Sequence, residues 1–145
     1  MGTWDIGPFD NDTAADFAGD LDEAAAEERV PMIRRVLERA AACVEFLETP
    51  DAERAVAAAA LVVAQHHAGG PSGPGCGPSE PLPPFPADLR TLAVAALDQV
   101  LGGLCELAMV WDEAMDGPKW RRDIVRLRDV LDPPVPPQRE VLFAV

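Results

Sequence analysis

The chain has no apolar run long enough to cross a bilayer, which takes roughly 18 residues. Its longest run, Ala55 to Ala64, is ten residues and mostly alanine. Nor does a basic stretch precede an apolar one at the N-terminus, so a secretory signal is not expected. Cationic side chains are scarce: eleven arginines and one lysine stand against 25 acids, for a net charge of −13. That balance argues against a phosphate-binding surface and hence against nucleic acid. Cysteine is scarce too. Cys43, Cys76 and Cys105 are odd in number and widely spaced, which suits reduced thiols in a cytoplasm.

The signatures of common chemistries are also missing. No GxGxxG, GxxxxGK[ST] or GxSxG string occurs, so phosphate cradles and nucleophile elbows lack their usual marks. His66 and His67 are adjacent, and on a helix they would point about 100° apart. No second ligand pair accompanies them, so no zinc site is expected. Asp10, Asn11 and Asp12 look like the start of a calcium loop. The fifth, sixth and twelfth positions of that loop would be Ala14, Ala15 and Leu21, which cannot supply its ligands and its glycine. Ser72 and Ser79 lie among prolines and glycines, a poor place to hold a nucleophile. Cys43 and Cys105 fall on or beside apolar stripes and read as inert buried thiols. No catalytic residue, metal ligand or cofactor site is therefore assigned.

What is present is helical periodicity and unevenly placed charge. Apolar residues are 48% and charged residues 26% of the chain, a globular composition. Asn11, Asp12 and Thr13 are all N-cap types, and a first helix should run to about Glu28 on the stripe Ala14, Phe17, Ala18, Leu21 and Ala25. Pro31 suits a first turn, so a second helix is expected to start there, with Val30, Ile33, Leu37, Ala40, Val44 and Leu47 inward. Thr49-Pro50-Asp51 announces a third helix, to about Gln65. It is apolar nearly all round and should be the central one. A fourth stripe follows at Leu89, Ala93, Ala96, Leu97 and Val100. Gly102-Gly103 should weaken or bend the chain. Leu104, Leu107, Ala108, Trp111 and Met115 make a fifth stripe. After the Asp116-Gly117-Pro118 turn, Trp120, Ile124, Leu127 and Leu131 make a sixth.

The expected fold is all-α, a single compact bundle of about five to six helices over residues 1–145. Helices one to three occupy 1–68 and helices four to six 87–132. Between them lies a Pro/Gly-rich loop, 69–86, read as a spacer. Residues 133–145 form an extended tail, with the apolar end Val141-Leu142-Phe143-Ala144-Val145 docking on the core or on a partner.

Residues 1–28 hold six aspartates, three glutamates and no basic group, whereas 117–145 carry six basic groups against four acids. Either the acidic first helix lies near the basic last one, or an acidic surface faces a basic partner, since opposite potentials steer encounter.

The opening Met1-Gly2-Thr3-Trp4-Asp5-Ile6-Gly7-Pro8-Phe9-Asp10-Asn11-Asp12 resembles that of the small bacterial proteins grouped as domain of unknown function 4259, which begin M-G-x-W-x-x-G-x-F-x-N-D. Glu106-Leu107, Trp111, Trp120 and Leu127-Arg128 are similar to that family's E-L-x-x-x-W … W … L-R run. The resemblance covers most of the chain apart from 69–86 and the tail. It implies an all-helical bacterial domain and brings no activity with it. Trp4 and Phe9 flank Gly7 as large apolar anchors. They form either a plug for the bundle or part of a recognition surface.

The leading expectation is a non-catalytic, cytoplasmic protein-binding domain, with Trp4, Phe9, Asp10, Asp12, Asp16, Asp20 and Asp22 as binding residues. Its partner would be another protein, of basic charge, held as an immunity protein holds a toxin. The alternatives are an accessory subunit or homodimer, joined through the alanine-rich helices, and an enzyme of unrecognised type.

Overall fold

The computed structural model describes residues 11–43, 45–68, 85–102 and 104–132. Among these residues six helices pack around one hydrophobic core, so the fold is all-α, as the periodicity predicts. Trp4, Phe9 and Asp10, the 69–84 segment and the 133–145 tail lie outside the described residues.

Asn11 caps α1 (Asp12–Glu23): its Oδ1 accepts the Ala14 N–H at 2.8 Å, satisfying one of the orphan donors of the first turn. Ala14, Phe17, Ala18 and Leu21 are buried. The helix ends five residues before the expected Glu28, and Ala25 is exposed. Ala24 and Ala25 both take extended backbone, although no glycine or proline marks the break. The Arg29 side chain supports it, with Nε donating to the Leu21 carbonyl at 2.7 Å and Nη2 to the Asp22 carbonyl at 3.2 Å. A guanidinium across the last carbonyls is favourable at the negative end of a helix.

The second helix, α2 (Ala26–Ala41), therefore begins before Pro31 and contains it. The ring removes the donor for the Glu27 carbonyl, on a turn where both residues are exposed. Ile33, Leu37 and Ala40 are buried as expected. The helix stops at Ala41, so Leu47 reaches the core from a different element.

That element is β1 (Phe46–Leu47), paired in parallel with β2 (Leu104–Cys105), Phe46 beside Leu104 and Leu47 beside Cys105. This small parallel ladder corrects the expectation that Leu104 lies on a helix. Strands of two residues carry no readable alternation.

Helix α3 (Thr49–Ala68) is the hub: α1, α2, α4 (Asp88–Gly102), α5 (Glu106–Asp112) and α6 (Gly117–Leu131) all pack on it. Ala52, Ala55, Ala57, Ala58 and Ala59 are sealed from solvent, and their small side chains allow close approach. These alanines are consumed inside the bundle. The α4 stripe is buried residue for residue as predicted. Met115, expected in the fifth stripe, is 97% exposed because α5 ends at Asp112. Trp111 and Trp120 stack with centroids 5.8 Å apart, joining α5 to α6.

Candidate acidic interface on the first helix

Asp12, Asp16 and Asp20 recur at i, i+4 and i+8 on α1, and all three are exposed. At 100° per residue they share an arc of about 80°, opposite Ala14 and Ala18, and rise about 12 Å along the axis. Glu23 falls in the same arc and is exposed; it is one more member of this face, and the same spacing rule finds it. Asp22 does not belong to the row. It sits on the flank, half-buried, and its carbonyl accepts from Arg29.

Asp12, Asp16, Asp20 and Glu23 make no ion pair among the described residues, and most arginines of α2 and α6 are engaged elsewhere. Arg34 on α2 pairs with Asp88 on α4. Arg121 on α6 forks onto Asp112, at 2.7 and 2.9 Å, and also donates to the Leu101 carbonyl. Arg128 pairs with Asp98 on α4, and Arg126 with its own neighbour Asp123. Three of the arginines of α6 are thus satisfied against α4, α5 and its own acids. No ion pair joins this helix to α1 among the described residues.

The stripe is costly to the helix that bears it. Like charges at i, i+4 destabilise by about 0.2–0.5 kcal/mol per pair. Only Asp12 lies in the first turn, where the helix dipole favours an anion, and no basic side chain stands in the last turn.

One carboxylate is concealed beneath this helix. Glu53 on α3 is 5% exposed and accepts a hydrogen bond from the Thr13 side chain. Burial pushes its carboxyl above the ordinary glutamate value, and nearby Asp12 adds to the rise, while Thr13 and Arg54 pull it back. The residue has no signal in the sequence, since it stands between Ala52 and Arg54 as an ordinary surface glutamate would. It fastens the start of α1 to the hub.

Among the cysteines, Cys105 is buried, and that burial raises its thiol pKa, which keeps it protonated and inert. Cys43 is half-buried rather than enclosed. Among the described residues no three His, Cys, Asp or Glu side chains gather to hold a metal ion, and no helix is long and apolar enough to cross a membrane.

No curated protein and no solved structure matches the chain. A family match runs over residues 2–123, from before α1 to within α6, and takes in α1 with its acidic face. The chain belongs to the family described as Domain of unknown function (DUF4259).

Proposed function

We propose that this protein is a non-catalytic binding domain of the bacterial cytoplasm that holds a basic protein partner on the outer face of α1. One observation carries the reading: Asp12, Asp16, Asp20 and Glu23 form an uncompensated row, while Arg34, Arg39, Arg121, Arg126 and Arg128 are paired with other carboxylates. A cationic surface laid on this row would relieve the repulsion along α1 and gain steering from the net charge of −13. Neutralisation of a basic toxin or nuclease is the form of this activity that a small acidic protein fits best.

The test is capture from the native host by the tagged chain at low and high salt, beside the variant D12N/D16N/D20N. A stoichiometric basic protein that is lost at high salt and lost in the variant supports the reading. Capture that the triple substitution leaves unchanged would sink it.

A second reading, an accessory subunit, is favoured by one specific feature. Phe46 and Leu104 are neighbours in the β1–β2 register, and both side chains are exposed, 45% and 61%. An apolar contact there would survive high salt, because hydrophobic burial is not screened.

A further inference from the structure

A second charged feature, opposite in sign, lies between the later half of α2 and the start of α3. Arg35 and Arg39 stand one helical turn apart on α2, with Arg54 on α3. Together with Val36, Glu38 and Asp51 they line a cleft of about 670 Å³. Asp51 is shared: one oxygen takes Arg39 Nε at 3.1 Å and the other takes Arg54 Nη1 at 3.4 Å. Arg35 is exposed and has no ion pair among the described residues. Three guanidinium groups thus face two carboxylates, in a chain where acids outnumber bases 25 to 12. Elsewhere the long-range pairs are matched, as in Arg34–Asp88, Arg121–Asp112 and Arg128–Asp98.

Each guanidinium has five N–H donors; Asp51 accepts one, from Arg54, and meets Arg39 only as an ion pair. The remaining donors form planar forks whose natural complement is a carboxylate or phosphate. We propose that this α2–α3 cleft binds a small anionic ligand, its carboxylate or phosphate oxygens taken by Arg35, Arg39 and Arg54 and its carbon portion resting on Val36. Asp51 is then an internal competitor that holds Arg39 and Arg54 in place until the ligand takes over their donors. This site does not depend on the acidic face of α1, and either can fail without the other.

The isotope-labelled full chain is titrated at low ionic strength with inorganic phosphate and, separately, with citrate, following the arginine Nε–H resonances. Saturable shifts are expected at Arg35, Arg39 and Arg54. R35Q/R54Q should weaken binding about tenfold, the loss of charge-assisted bonds. Asp51→Asn should tighten it, because the competing carboxylate is gone; a merely structural ion cluster has no reason to show that gain. Asn at 51 also suits a first helical turn, so this variant serves even where the double arginine variant fails to fold. Tighter binding of phosphate than of citrate assigns a phosphorylated ligand, and the reverse a carboxylic one. Shifts that never saturate, that fall equally on Arg122, or that persist in R35Q/R54Q mean an adventitious ion only and overturn the proposal.

Discussion

Glu106 caps a helix that begins 57 residues before it: its Oε1 accepts the backbone N–H of Thr49 at 2.8 Å. The first residue of α5 thereby satisfies a donor at the start of α3, and a carboxylate is set where the dipole of the hub helix favours one. The Thr49 backbone bond holds the Glu106 carboxyl below the ordinary glutamate value, and a side-chain bond to Thr49 adds to this.

The sign of the resulting pH dependence follows. A carboxyl whose folded-state pKa is depressed stabilises above its unfolded value, and that contribution is lost as pH falls through the folded value. Glu106→Gln is therefore expected to lower Tm by a few degrees at pH 7, with the gap to the parent closing in acid. Thermal melts from pH 7 to pH 3 check it; a gap independent of pH would contradict the assignment.

Glu53 should behave the opposite way. Its folded-state pKa is raised by burial, so its stabilising protonated form is lost as pH rises from the ordinary glutamate value through the raised one. Glu53→Gln, neutral throughout, is expected to exceed the parent by about 1 kcal/mol at pH 7 and to match it near pH 4. Urea denaturation at both pH values reads the difference.

Gly117 has no room for a side chain. A Cβ there would lie 2.2 Å from the Trp111 carbonyl oxygen and 3.1 Å from its carbon, and backbone cannot yield as a flexible side chain does. Gly117→Ala is expected to cost about 1–3 kcal/mol, the usual penalty for overpacking. It should also disturb the Trp111–Trp120 stack, visible as a change in near-ultraviolet circular dichroism.

Relieving the acidic row should stabilise the free protein. Asp16→Asn alone breaks both the Asp12–Asp16 and Asp16–Asp20 repulsions, for a gain of about 0.5 kcal/mol. A variant that gains stability while losing its basic partner would show the row to be kept for binding. Arg29→Ala should act at the other end of α1, speeding amide exchange in its last turn as the Leu21 and Asp22 carbonyls lose the guanidinium donors.

The parts legible in the sequence are those decided by local pattern. The α4 stripe, the proline-led start of α3 and the i, i+4 row of aspartates follow from helical spacing alone. Other features depend on atoms distant along the chain. The break after Glu23 rests on Arg29 folding back, and the β1–β2 ladder brings together segments 58 residues apart in register. Asp22 carries the same charge as Asp20 yet lies off the row, a difference that charge counting misses and angular position resolves. Glu53 is invisible to periodicity because its neighbours on α3 are small enough to let it be covered.

The packing order of the helices bears on how the chain can be divided. Helix α4 packs on α2 and α3 and also on α6, so the core is built from both sides of the 69–84 segment. Residues 11–68 alone would present the inner faces of α2 and α3 to water, and residues 85–132 alone would present Leu89, Ala93, Leu97 and Val100. Each fragment would lose the contacts of α4 with α2 and α3, and together they hold the six helices of the described residues. The protein is thus a natural candidate for splitting into two mutually dependent pieces whose reassembly reports that they have met.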